Sequence, residues 1–290
     1  MIFLHDWYYA IHKAHEKTLD VLRDFLRMQK THLIQTGIVV VYIVIGFPLM
    51  LRTILFPSTI YKNWFYLARA VLLVSMVRKP ILIGTLPTNT NFVAVANHGS
   101  FFDIFATGYY FKGLQGTVFL HKKLLKIPIL GWWLKRLDVI PVIPPTAKYE
   151  SSTNTMVHTK TVSEKITNWL LPQIILSKRE MAEINISAKY KALETLAQGK
   201  SLVAFPEGTR TLNGQMKQFE DTAFNIAKRA GVPIVPIAFI GTYEAKPKWR
   251  QYIKSTRIII RIGTPIDGST MSPKELAEKT QHIIQEMIDE

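Results

Sequence analysis

Phe92-Val93-Ala94-Val95-Ala96-Asn97-His98-Gly99-Ser100-Phe101-Phe102-Asp103 is the stretch on which the fold turns. Its five apolar residues give way at once to Asn, His, Gly and Ser, and a run with helical spacing follows over 101–111. A short apolar run bounded by polar residues reads as a buried strand. His98 then leaves the end of a sheet, with the Asp103 carboxylate five residues on at the start of a helix. Open α/β sheets bind their ligands at such strand ends.

The same rhythm extends outward from this stretch. Apolar runs over 116–120, 139–142, 202–205, 234–239 and 257–262 read as strands, and helices fit 129–137, 188–197, 219–229 and 272–288. The last helix is announced by Ser272-Pro273-Lys274-Glu275, with an N-cap, Pro at the first position and Glu at the third. Such alternation predicts an α/β fold, a mainly parallel sheet flanked by helices, over residues 81–290. Residues 146–185 depart from it: a Ser/Thr-rich polar part, an apolar part and a charged helix-like run from Ser177. They read as an inserted excursion, whether lid, membrane-touching element or ordinary surface insertion.

Residues 1–80 differ in character. Acids and bases alternate through the first 30 residues, with no signal-peptide core and with Leu4, Tyr8, Ile11, Leu19, Leu22 and Phe25 on one side of an amphipathic helix. Leu33 to Leu51 carries no charge and reaches the lower end of the roughly 17 to 25 residues that cross a bilayer core. A second apolar stretch from Trp64 to Val77 is broken only by Arg69. The pair is expected to form a membrane-associated helical region, as a spanning helix or a shallow interfacial hairpin; the bland alternative is two helices packed on a soluble domain.

Composition supports a lipid setting. The chain is 48% hydrophobic, and 36 Lys+Arg against 21 Asp+Glu leave a net charge of +15. That balance suits nucleic acid, anionic lipid or an anionic substrate carrier. With no zinc-ligand spacing and no RNP-like aromatic run, nucleic acid is excluded as the expected partner and a membrane surface preferred. The absence of cysteine removes disulfides and thiolate catalysis; no metal site is expected.

A second polar cluster, Phe205-Pro206-Glu207-Gly208-Thr209-Arg210, follows the strand over 202–205. Gly208 permits a tight turn, and Arg210 offers a planar fork suited to phosphate. Glu207 is suited to a glycerol hydroxyl or to holding Arg210; alone, the two would read as a surface ion pair. His98 can act as a base and Asp103 as its orienting partner, although Ser100-x-x-Asp103 also matches a capping box. No G-x-S-x-G elbow is present, which favours direct attack by a substrate hydroxyl over an acyl-enzyme.

NHGSFFD and FPEGTR, in this order and upstream of Val232-Pro233-Ile234-Val235-Pro236-Ile237, resemble the signature blocks of the glycerolipid acyltransferases. His121-Lys122-Lys123-Leu124-Leu125-Lys126-Ile127-Pro128-Ile129-Leu130-Gly131 is similar to the second motif of that family. The resemblance covers residues 90–240. It implies His98 as general base, Asp103 as its partner, and Lys122, Lys123, Glu207, Gly208, Thr209 and Arg210 as contacts to a lysolipid headgroup. It also implies acyl-CoA or acyl carrier protein as donor substrate, no cofactor, membrane phospholipid and lysolipid as partners, and a place on the cytoplasmic face of a membrane. The implied reaction is acylation of the sn-2 hydroxyl of 1-acyl-glycerol-3-phosphate to phosphatidate; the alternatives are another lysolipid or glycerol-3-phosphate as acceptor, or a noncatalytic lipid-binding scaffold. Two departures stand out. Ile143-Pro144 occupies the place of an Asp-Arg pair common in the family, leaving Lys148, Lys123 or Lys217 to replace the lost charge, and Thr222 stands where many members carry Gly.

Overall fold

The computed structural model describes residues 2–75, 78–110, 116–127, 129–143, 177–250 and 252–290. Most of the excursion predicted over 146–185 lies outside the described residues. Its charged end does not: Ser177 caps a helix, α6 (Lys178–Ala197), through a reciprocal box with Glu180, and the run from Ser177 joins the helix predicted over 188–197.

Among the described residues seven strands form one sheet: β1 (Arg78–Ile83), β2 (Val93–Ala96), β3 (Gly116–His121), β4 (Ile140–Val142), β5 (Ser201–Ala204), β6 (Ile234–Ile240) and β7 (Arg257–Ile262). Their order is β1-β7-β6-β2-β5-β3-β4, and every pairing is parallel except β6 with β7. The mainly parallel α/β fold expected from the sequence is present. β1 escaped the sequence reading because Pro80 interrupts it and its Ile81, Leu82 and Ile83 are exposed at the sheet edge.

Strand alternation divides the interior into two layers. Phe92 just before β2, Ala94 and Ala96 of β2, Val203 of β5 and Val235, Ile237 and Phe239 of β6 face one layer. Val93, Val95, Leu202, Ala204, Ile234 and Ala238 face the other. Helices α4 (Asp103–Tyr110) and α5 (Leu130–Arg136) cover the first face, and α6, α7 (Thr222–Ala230) and α9 (Pro273–Asp289) the second. A short α8 (Thr242–Ala245) follows β6. The apolar strand of Val232 to Ile237 is thus core, its Ile234, Val235 and Ile237 fully buried.

Before the sheet, α1 (Ile2–Val41) passes through a π-helical turn, Tyr42–Gly46, into α2 (Phe47–Leu55). Pro48 has no N–H for the carbonyl one turn back, which opens the ladder at this point. The stretch Glu16–Leu55 is long and apolar enough to cross a membrane, and its most apolar window is only 17% buried. Leu33 and Leu55 are 74% and 73% exposed, and Val39, Val44 and Phe47 are exposed too. The chain then reverses into α3 (Ile60–Val74), the corner being tied by the buried Asn63 amide, which donates to Thr53 Oγ1 at 2.7 Å and Thr59 Oγ1 at 2.9 Å.

α3 differs from the second arm of an interfacial hairpin. Its Trp64, Leu67, Ala68, Val71 and Leu72 are buried in the same core layer as Phe92 and Phe105. Trp64 lies 6.1 Å from Phe105 and 6.5 Å from Trp133, ring to ring. Residues 60–74 therefore pack as part of the sheet domain, although the sequence groups them with the N-terminal region. Arg69 stays on the exposed face.

Candidate active site

β2 and β5 are neighbours, so the polar residues after them meet at one sheet edge. Their connections leave on opposite faces, β2 into α4 and β5 toward α7, which leaves the edge between them open. Asn97, next after β2, is fixed across to β6: its amide donates to the Phe239 carbonyl at 2.9 Å and accepts from the Phe239 N–H at 2.7 Å.

The backbone of His98 is held at both ends by the second cluster. Its N–H donates to Glu207 Oε1 at 2.7 Å, and its carbonyl accepts from the Thr211 N–H at 2.9 Å. Glu207 reaches this position because the chain turns tightly after β5, with the Gly208 N–H bonded to the Phe205 carbonyl at 3.1 Å. Gly208 takes φ 67°, a left-handed conformation that favours glycine.

His98 Nδ1 lies 2.7 Å from Asp103 Oδ2, and the imidazole packs 4.6 Å from the Phe205 ring. The Asp103 side chain is completely buried and that of His98 is 25% exposed. With Nδ1 committed to the carboxylate, Nε2 is the nitrogen left for a substrate proton. Asp103 Oδ2 also accepts the Ser100 N–H at 2.9 Å. Orienting the histidine and capping the helix are therefore one arrangement, with both donors on a single oxygen. Asp103 Oδ1 is buried with no partner among the described residues. Ser100 itself is fully buried; its hydroxyl donates to the Lys246 carbonyl at 3.0 Å and accepts from the Phe102 N–H at 3.3 Å. It is not placed to act as a nucleophile.

Glu207 has a different position from the headgroup contact that the resemblance implies. Its second oxygen, Oε2, accepts the Lys217 N–H at 3.1 Å, so both carboxylate oxygens hold backbone. Burial pushes its pKa up, opposed by the hydrogen bonds from the His98 and Lys217 backbone. Arg210 makes no ion pair with it; among the described residues its guanidinium has no hydrogen-bond or salt-bridge partner. Burial lowers the Arg210 pKa, with the Asp103 charge pulling the other way. The Thr209 hydroxyl accepts from Lys217 Nζ at 2.7 Å.

Lys122 and Lys123 lie further off, on the 3-10 turn Lys122–Lys126 after β3, with β5 between them and β2. Lys122 lines a groove against Glu180 and Glu183 of α6. The Lys123 N–H donates to His121 Nδ1 at 3.2 Å. Lys148 and Pro144 are outside the described residues. Ile143 is buried, its N–H and carbonyl both bonded to the Asn185 side chain, so it supplies no charge where the family often has Asp. Thr222 opens α7 with an ordinary helical backbone, which needs no glycine. The sequence reading missed Lys246, whose backbone receives Ser100; nothing local to it signals that contact. Among the described residues no group of His, Asp and Glu is arranged to hold a metal ion.

The acyltransferase family model matches residues 82–240. The chain is 28% identical over 188 residues to the chloroplastic 1-acyl-sn-glycerol-3-phosphate acyltransferase BAT2 of Brassica napus, covering 63% of this chain and 42% of that one. It is 26% identical over 190 residues to the 1-acyl-sn-glycerol-3-phosphate acyltransferase of Pseudomonas aeruginosa, covering 65% and 59%. The chain thus spans roughly half the length of these curated relatives. The crystal structure of the 1-acyl-sn-glycerophosphate acyltransferase PlsC from Thermotoga maritima superposes with a TM-score of 0.66 at 22% identity, over 92% of this chain and 95% of that one, which shows the shared fold. With that fold, the family match across more than half its length and both polar blocks at one sheet edge, the chain belongs to the acyltransferase family.

Proposed function

We propose that the protein is a membrane-bound O-acyltransferase that moves a fatty acyl group from a thioester donor, acyl-CoA or acyl carrier protein, to the sn-2 hydroxyl of 1-acyl-glycerol-3-phosphate. The observation that carries the reading is the 2.7 Å contact of His98 Nδ1 with the buried Asp103, on a residue whose own backbone is clamped by Glu207 and Thr211. The names of the relatives at 26% and 28% identity support the acceptor.

In this reading the imidazole holds a hydrogen bond from its Nδ1–H to the Asp103 carboxylate and presents the Nε2 lone pair to the acceptor hydroxyl. As the hydroxyl oxygen attacks the thioester carbonyl, Nε2 takes its proton and Asp103 stabilises the imidazolium. The tetrahedral intermediate collapses with cleavage of the C–S bond, and the thiolate recovers the proton from Nε2. An ester and a free thiol result, and no covalent enzyme intermediate forms. Arg210 binds the acceptor phosphate, a task that suits an unpaired, partly buried guanidinium. Lys122 and Lys123, on the next strand end but one, serve the phosphates or acidic surface of the donor.

A bilayer location accounts for the exposed apolar side chains of α1 and α2. The acceptor and the diacyl product both reside in lipid, and the basic residues Arg52, Lys62, Arg69, Arg78 and Lys79 that follow suit the cytoplasmic leaflet. An apolar cavity of about 70 Å³, bordered by Trp64, Ile104, Val118, Leu134 and Val203, lies beneath α4 and is suited to acyl methylenes.

The test is the purified protein in detergent with palmitoyl-CoA or palmitoyl carrier protein, offered 1-acyl-glycerol-3-phosphate, glycerol-3-phosphate and zwitterionic lysophospholipids, with products read by mass spectrometry. General-base catalysis is worth on the order of 100-fold to 10,000-fold. Turnover of lysophosphatidate that falls by that factor in a folded His98→Ala protein is expected; near wild-type transfer by that variant defeats the mechanism.

A further inference from the structure

The loop that follows β6 brings a charge to the site that the sequence does not associate with it. Gly241 and α8 lead into Lys246-Pro247-Lys248-Trp249-Arg250, and the helix and loop together pack on both blocks. On the first block, the Ser100 hydroxyl donates to the Lys246 carbonyl at 3.0 Å, and a Cβ on Gly99 would sit 2.7 Å from Thr242 Oγ1. On the second, the Tyr243 hydroxyl donates to the carbonyl of Leu212, two residues beyond Arg210, at 3.1 Å.

Lys246, directly after α8, is thereby held beside the loop of His98 and Asp103 through its carbonyl. Its ammonium group donates to the Arg250 carbonyl, which aims the side chain along the loop and uses one of its three donors. Burial lowers the pKa of Lys246, and the Arg210 and then Arg250 charges lower it further. Among the described residues no carboxylate makes an ion pair with Lys246, Arg210 or Arg250. Uncompensated cations in a partly buried place are costly unless an anion joins them. The carboxylates of the two polar blocks are already engaged, Asp103 with His98 and Ser100 and Glu207 with two backbone N–H groups.

We propose that Lys246 is a second phosphate-binding residue of the acceptor site, acting beside Arg210 and making good the arginine that the Ile143-Pro144 position lacks. Arg210 supplies the planar fork and Lys246 a mobile point charge, a pair matched to a dianionic phosphomonoester more than to a phosphodiester of single charge. The inference rests on the acyltransferase reading above and deepens it by naming what selects the acceptor's charge. Of the substitutes that the sequence suggests, Lys123 stands at the end of β3 and Lys217 already turns its ammonium to Thr209 in the second block, while Lys246 is held through its carbonyl on the Ser100 hydroxyl of the first.

The experiment uses the full chain in detergent, as wild type, Lys246→Gln and Lys246→Arg. Binding of 1-acyl-glycerol-3-phosphate without donor is measured by calorimetry, and initial rates with palmitoyl-CoA are measured on the same acceptor and on an uncharged monoacylglycerol. A charge-assisted contact at a partly exposed site is worth about tenfold. Lys246→Gln should weaken lysophosphatidate binding and raise its KM by about that factor, with kcat, the KM for palmitoyl-CoA and the rate on monoacylglycerol within about twofold of wild type, and Lys246→Arg should recover most of the loss. An unchanged KM for lysophosphatidate overturns the proposal, and so does a rise confined to palmitoyl-CoA, which would assign the charge to the donor's phosphates. Equal loss in both variants with a lowered melting temperature makes Lys246 a strut of the loop and also overturns it. If the wild type itself neither binds nor acylates lysophosphatidate, this proposal and the acyltransferase reading of the acceptor both fail; if the wild type does both and Lys246→Gln matches it, only the role of Lys246 fails.

Discussion

Replacing Asp103 by Asn separates the charge of the carboxylate from its geometry, because one oxygen does both jobs. Oδ2 accepts from His98 Nδ1 at 2.7 Å and from the Ser100 N–H at 2.9 Å, while Oδ1 has no partner. An amide oxygen placed at Oδ2 keeps both hydrogen bonds and puts its NH2 where Oδ1 was, so the negative charge goes while both bonds stay. With the charges of a carboxylate and an imidazolium about 4 Å apart at an effective dielectric constant of about 20, that charge is worth roughly 4 kcal/mol to the protonated histidine. The same amount on the barrier is about a thousandfold in rate. Asp103→Ala loses the same charge and also strands the buried Ser100 N–H, at a cost of about 1 to 3 kcal/mol in stability. The assay is steady-state acylation of lysophosphatidate beside thermal melts of the three proteins. Asp103→Asn should lower kcat by a few hundred-fold to a thousandfold with a melting temperature near wild type, while Asp103→Ala should lower both. A folded Asp103→Asn protein with kcat within threefold of wild type would refute the electrostatic role, and one that melts as early as Asp103→Ala would refute the shared-oxygen geometry.

Other substitutions test the rest of the arrangement. Glu207→Gln leaves a single acceptor oxygen for two backbone N–H groups, so His98 should shift and kcat fall about tenfold or more with the acceptor KM unchanged; a raised KM at constant kcat would instead make Glu207 a headgroup contact. Because burial holds the folded-state pKa of Glu207 above its unfolded value, its ionised form costs the folded protein, and stability from this group should decline as pH rises from the unfolded value through the folded one; urea titrations of Glu207→Gln should lack that decline. Trp64→Ala, at a position 7% exposed against Phe105 and Trp133, should cost about 3 to 5 kcal/mol in chemical denaturation, and a loss under 1 kcal/mol would show that α3 is no part of the catalytic fold. In cell fractions, a high-salt wash should leave the protein on membranes and detergent should release it, since apolar area outweighs charge along Glu16–Leu55; release by salt alone would assign the attachment to electrostatics.

The sequence by itself determined those features that are local or periodic. Alternating apolar runs predicted six of the seven strands and the parallel layer structure, because a strand buried on both faces must be apolar throughout. His98, Asp103 and the FPEGTR turn were legible as well, since a polar cluster directly after such a strand has only the carboxyl edge of the sheet to occupy. Tertiary structure decided the rest. Nothing in the spacing of Glu207 says that its oxygens reach the backbone of His98 and of Lys217, for that contact exists only because β5 pairs with β2. On the sequence alone the capping box and the contact with His98 are rival uses of Asp103, whereas in the structure one oxygen accepts both donors. Apolar stretches look alike whether they face lipid or core, so only packing separated α2, with Phe47 and Leu55 exposed, from α3, with Leu67 and Val71 fully buried. The Lys246 carbonyl meets Ser100 through a loop far along the chain, and a contact that depends on strand order and loop closure leaves no periodic trace in the residues that make it.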